Sequence, residues 1–205
     1  MHLVLAGPGR IGAALVPGLQ AQGHTVTLLT RQDYGNFLAP AYDPGPAVAR
    51  VAACDALLLL AGRFELNAPE EVMGQANATG PLRIAEAVHA RFPQAQIIAF
   101  LDSRIRRPLS SVPPAVRAYL ASKQRLARWV LAAARTWGQT TGARVNAIAP
   151  GPVFPPPEKA HSEPGGPCLT PRPTVADLLS GVTFLLSTSS VTGQILYIAA
   201  GQQLL

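Results

Sequence analysis

The sequence predicts an α/β protein, a doubly wound parallel sheet in a three-layer α/β/α arrangement, forming a single domain over residues 1–205. Short apolar runs suited to buried strands alternate with stretches of helical periodicity along nearly the whole 205-residue chain. Hydrophobic residues make up 48% and charged residues 14%, a balance that favours a large buried core over disorder. The first apolar run passes directly into a glycine-rich turn that opens a helix, as a strand-turn-helix unit requires.

Leu3-Val4-Leu5-Ala6 reads as the first strand, followed by Gly7-Pro8-Gly9-Arg10-Ile11-Gly12 and a helix through Leu15 and Leu19. In this G-x-G-x-x-G setting Gly7 allows a tight turn and Gly9 lets backbone approach a pyrophosphate. Gly12 lets the helix pack on the strand with its amides toward the anion. A purely structural turn is the alternative. A second strand over residues 25–29 ends at Thr30-Arg31-Gln32-Asp33. A carboxylate at this strand end suits the ribose hydroxyl of NAD, whereas Arg31 suits a 2′-phosphate and favours NADP(H) over NAD(H), with Asp33 still able to take the ribose.

Residues 34–55 contain Pro40, Pro44, Gly45 and Pro46 and show no convincing strand, only a short helix over 48–53. Residues 55–61 form a central strand ending in Ala61-Gly62-Arg63-Phe64. Helical periodicity covers 69–92 with an interruption near Gly80-Pro81, where Asn77 can face a cleft. A strand over 95–101 delivers Asp102 and Ser103 at its C-terminal end, the ligand side of an open parallel sheet. A helix follows Pro113-Pro114 and runs to Trp137-Gly138; a strand over 143–149 is closed by Pro150-Gly151-Pro152. Prolines and glycines over 152–173 suggest a lid-like loop. Thr174 with Asp177 makes a capping-box signature for a last helix to Leu186, and residues 194–199 form the final strand.

Tyr119 and Lys123, four apart on the long helix, share one face. A fixed ammonium beside a phenol stabilises the phenolate and would bring its pKa down from about 10 toward the working range. The chain holds two lysines, Lys123 and Lys159, against free use of arginine; an ordinary surface pair is the competing reading.

The net charge of +6 is spread along the chain without an aromatic-basic stripe, which argues against a nucleic-acid partner. The local cluster Arg104, Arg106 and Arg107 reads as a solvated loop. Cys54 and Cys168 are isolated, without metal-ligand spacing, so no metal is expected. No apolar run reaches membrane-spanning length, and the start shows no signal-peptide pattern; the expectation is a cytoplasmic protein without a membrane partner.

In order along the chain, the glycine-rich turn, Ala61-Gly62, Asn77, Asp102 or Ser103, Tyr119-x-x-x-Lys123, Asn146-x-x-x-Pro150-Gly151 and Thr192-Gly193-Gln194 resemble the short-chain dehydrogenase/reductase family. The resemblance implies a Rossmann-like fold and an NAD(P)-dependent oxidoreductase working on a small molecule. It makes Tyr119 the proton donor, Lys123 its electrostatic partner and a ribose ligand, Asn77 the anchor of a water relay, and the helices over 81–92 and 115–136 the surfaces of a homodimer or homotetramer. Gly7, Gly9, Arg10, Ile11, Gly12, Arg31, Ala61, Gly62, Lys123, Pro150 and Gly151 become cofactor-binding positions.

Three features are similar to the pteridine reductase branch. Arg10-Ile11-Gly12 would place an arginine on cofactor phosphate and pterin; Phe64 would stack on the pterin ring; Asp102 would relay a proton, suiting a C=N bond. Ser103 would instead give a Ser-Tyr-Lys set for a carbonyl. The chain departs from the family in its short 34–76 segment and in Leu59-Leu60 before Ala61-Gly62. These departures motivate the alternative of a non-catalytic dinucleotide-binding redox sensor or partner subunit.

Overall fold

In the computed structural model, which describes residues 1–39, 41–154, 169 and 172–204, the strands assemble into a six-stranded sheet of order β2-β1-β3-β4-β5-β6. All five strand pairings are parallel. The strands are β1 (His2–Ala6), β2 (Thr25–Leu29), β3 (Ala56–Leu59), β4 (Gln96–Phe100), β5 (Val145–Pro150) and β6 (Ile195–Ile198). β3 and β4 are buried at every position, as expected of parallel strands covered on both faces. The sheet separates two apolar clusters. One holds Leu57, Ile97, Leu120 and Val130, and the other Leu5, Leu15, Ile98 and Val182.

The helices that cover these faces are α1 (Gly9–Ala21), α2 (Arg31–Tyr34), α3 (Gly45–Ala49), α4 (Glu70–Gly74), α5 (Gly80–Arg91), α6 (Pro114–Thr141) and α7 (Val175–Ser187). α6 extends beyond the expected end at Gly138 and stops at Gly142, whose left-handed φ of 75° suits a residue without a Cβ. Along it Ala133 and Ala134 pack into the core while Leu131 stays exposed. α7 begins with the expected capping box, Asp177 accepting from the amide and hydroxyl of Thr174.

Between β2 and β3 no strand occurs among the described residues, so β2 is an edge of the sheet. Its place is taken by an aromatic cluster. Tyr34 and Phe37 stack with centroids 5.0 Å apart, and Phe37 meets Tyr42 edge-on at 5.1 Å. Gly80 admits this cluster, because a Cβ there would lie 2.4 Å from the Phe37 ring. The short helix falls at 45–49 rather than 48–53, because Gly45 and Pro46 form its first turn instead of preceding it.

The interruption in the 69–92 helical stretch lies at Gln75–Thr79, a π-helical turn between α4 and α5, earlier than Gly80-Pro81. Pro81 fits within the first turn of α5, where a missing N–H costs little. Cys54 is a buried core residue whose thiol burial pushes up to about 12. Cys168 and most of the loop expected to form a lid lie outside the described residues. Among the described residues no helix is long and apolar enough to cross a membrane.

Candidate active site

The C-terminal ends of β1, β3 and β4 bring most of the expected residues to one edge of the sheet. The glycine-rich turn sits against the turn after β3: Gly7 adopts φ 62°, and a Cβ on it would fall 2.5 Å from the Cα of Ala61. α1 starts behind Pro8 with neither a side-chain cap nor an acidic residue in its first turn, leaving its N-terminal dipole uncompensated. The Arg10 guanidinium lies 4.3 Å over the ring of Phe154.

Asn77 is fully buried on the π-helical turn, where the extra residue swings its amide toward β3. Its Oδ1 accepts from the Arg63 amide at 2.7 Å and its Nδ2 approaches the Met73 sulfur at 3.5 Å. Asn77 therefore anchors the Gly62-Arg63 backbone. A Cβ on Gly62 would lie 2.8 Å from Asn77 Oδ1 and 3.3 Å from Lys123 Nζ. Gly62→Ala is accordingly expected to destabilise the fold by about 1–3 kcal/mol through overpacking, read as a lower midpoint in urea unfolding.

Lys123 is 5% exposed and donates from Nζ to the Phe100 carbonyl at 3.0 Å. Burial depresses its ammonium to about 8, against an upward pull from the Asp102 charge. The Tyr119 phenol shifts the other way. Burial raises its pKa most, the Asp102 charge adds to this, Arg104 opposes it, and side-chain hydrogen bonding to Asp102 raises it further. The expected lowering by Lys123 is not among the causes: the charges acting on the phenol are those of Asp102 and Arg104, and burial outweighs both.

Asp102 follows β4 by two residues and caps the short 3-10 turn Ser103–Arg106 by accepting from the Arg104 amide at 2.8 Å. The Arg104 guanidinium grips both carboxylate oxygens, Nε to Oδ1 at 3.0 Å and Nη2 to Oδ2 at 3.1 Å. The reading of residues 104–107 as a solvated loop thus fails at Arg104, whose side chain is only 15% exposed. Ser103 points elsewhere: it is buried, and its hydroxyl donates to Gln202 Oε1 at 2.7 Å. Phe64 is 57% exposed and sets its ring perpendicular to Tyr119, centroids 4.9 Å apart.

On the other side of the turn after β3, Arg31, Tyr34, Asn36, Phe37, Gly62 and Arg63 line a cavity of about 110 Å³. Asp33 caps α2 through Oδ2, which accepts from the Thr30 amide at 2.7 Å and hydroxyl at 2.8 Å. Those two hydrogen bonds, the amide's first, lower its pKa. Pro150 closes β5, and the Gly151 amide donates to Ile198 at 2.9 Å, with the Cα of Ala199 only 2.9 Å from a Cβ added there. Asn146 is fully buried and serves the frame, bonding Val191 O and the Gln194 amide.

Sequence reasoning missed Arg104. The signal available was its spacing two residues after an aspartate at a strand end, which lets one carboxylate cap the turn and pair with the side chain.

No family model matches the chain, and no curated protein matches it. Among solved structures the chain is similar to the 3-alpha-hydroxysteroid dehydrogenase of Pseudomonas sp. B-0831, solved with NADH, at TM-score 0.79 and 20% identity over 98% of this chain and 96% of that one. A short-chain dehydrogenase of Burkholderia cenocepacia J2315, solved with NADP, is similar at TM-score 0.79 and 21% identity, again covering 98% and 96%. The likeness extends over the whole architecture and establishes a Rossmann-like α/β fold, the fold of those short-chain dehydrogenases.

Proposed function

We propose that the protein is an NADP-dependent oxidoreductase of the short-chain dehydrogenase type, reducing a pteridine-like C=N bond or a carbonyl on a small molecule. The observation that carries this reading is the convergence of Asn77 and Lys123 on the Gly62 backbone, with Asp102 acting on both Tyr119 and Lys123 beside it. The residues present fit a nicotinamide dinucleotide. The uncapped start of α1 offers amides to phosphate, and Arg10 and Arg31 add positive charge nearby. The cavity lined by Arg31, Tyr34 and Phe37 offers an arginine and aromatic faces to the adenosine end. Gly7, Gly9, Ile11, Gly12, Ala61, Gly62, Lys123, Pro150 and Gly151 complete the binding surface in this reading.

A bound dinucleotide supplies hydride to the substrate. The chain supplies the rest. Tyr119 carries the proton that the reduced atom takes up, its phenol kept protonated by burial and by Asp102. Lys123 places a cation beneath the site, and Asn77 holds the backbone against which the substrate rests. The exposed Phe64 ring beside Tyr119 favours a flat heterocycle over a flexible ketone. With Ser103 committed to Gln202, Asp102 is the acidic-site partner of Tyr119, which favours the C=N substrate over the Ser-Tyr-Lys alternative. Pairing into a homodimer or homotetramer belongs to the same reading, supported by the exposed Leu131 on α6.

Asp33 gives one carboxylate oxygen to the α2 cap, while Arg31 lines the cavity offered to the adenosine end, which favours the 2′-phosphate. Fluorescence titration tests this directly. NADPH is expected to bind at least about tenfold more tightly than NADH, a difference of about 1.4 kcal/mol. Equal affinities would remove the NADP preference, and no binding of either would end the oxidoreductase reading and move a non-catalytic partner-subunit reading ahead.

A further inference from the structure

We infer that Arg104 is a positioning residue for proton transfer: its two-pronged grip sets the orientation of the Asp102 carboxylate beside Tyr119. The inference rests on the site reading given above and assigns Arg104 a part in it. Two parallel guanidinium hydrogen bonds fix a carboxylate in plane and rotation as a lysine's point charge does not. Here they run to both oxygens, with the Arg104 amide adding a third bond to Oδ1. The pair is sheltered, its side chains 15% and 14% exposed, so the attraction is screened less than at a surface.

The turn that carries Arg104 is fastened to the helix that carries Tyr119. Gln124, adjacent to Lys123 on α6, donates from Nε2 to the carbonyls of Ile105 at 3.1 Å and Arg107 at 2.9 Å. Arginine, carboxylate and phenol are therefore held in one register by two independent attachments. The Asp102 carboxylate is thereby held where its charge and hydrogen bonding act on the Tyr119 phenol.

The test needs neither cofactor nor substrate, so it is separate from the NADPH titration. The protein contains four tyrosines, and isotope labelling at tyrosine Cζ gives each a nuclear magnetic resonance signal sensitive to phenol hydrogen bonding; Tyr119→Phe identifies its own. Arg104→Met is expected to move the Tyr119 signal most of the way to its position in Asp102→Asn, and Arg104→Lys to restore it in part. The signals of Tyr34, Tyr42 and Tyr197 report that the fold is intact, and Arg104→Gln replaces Arg104→Met should that variant fail to fold. A Tyr119 signal unmoved by loss of the guanidinium, while Asp102→Asn moves it, would overturn the inference.

Discussion

Replacing Tyr119 with phenylalanine is expected to lower turnover by about 10²–10⁴-fold while leaving NADPH affinity within about twofold. The change removes one hydroxyl and keeps the ring that meets Phe64 edge-on at 4.9 Å, so packing around α6 is preserved. Asp102 is not stranded by the loss, since Arg104 still holds both of its oxygens. The variant should therefore unfold within about 1 kcal/mol of the wild type, and the kinetic loss can be assigned to the missing proton donor. Steady-state kinetics together with NADPH fluorescence checks both halves. Turnover equal to the wild type would end the assignment of Tyr119 as the acid.

Lys123→Met is expected to produce the largest change in the pH dependence of stability. The folded ammonium titrates at about 8, below its ordinary value of 10.5, because burial disfavours the charged form. Between these pH values the unfolded chain binds a proton at Lys123 that the folded chain does not, so wild-type stability rises with pH across this window. Below about 8 both states are protonated and the full cost of burying the charge is present. The interval corresponds to roughly 3 kcal/mol. The variant lacks this term, so the wild-type minus variant difference in urea unfolding free energy should increase by up to about that amount from pH 8 to 10.5. A flat difference across the window would mean that Lys123 is not buried as a titrating ammonium. Methionine also leaves the Phe100 carbonyl without its donor, which lowers the variant's stability at every pH but does not alter the slope.

The frame was legible because parallel strands and their helices leave periodic traces. Leu3 to Ala6, residues 25–29 and the Thr174-Asp177 cap could be read from local pattern alone, since each depends on neighbours within a few residues. The same holds for the spacing of Tyr119 and Lys123, which one helical turn places on one face. The absence of a strand over 34–55 was visible too, because prolines and glycines break any period-two run. Only the fold showed what replaces it: Tyr34, Phe37 and Tyr42 close over Gly80, a contact between residues that local pattern does not connect.

By itself, then, the sequence determined the α/β alternation, the glycine turn and which chemical groups stand at the strand ends. Tertiary structure decided what each of those groups does, because charge and hydrogen bonding depend on partners distant along the chain. Lys123 gives one of its three donors to Phe100, twenty-three residues away, and Ser103 is claimed by Gln202, ninety-nine residues on. Asp102 is the instructive middle case. Its guanidinium partner is two residues away and was in plain view, yet whether that pair dissolves in solvent or locks beside a phenol depends on how α6, β5 and the Gln202–Leu204 turn pack around it.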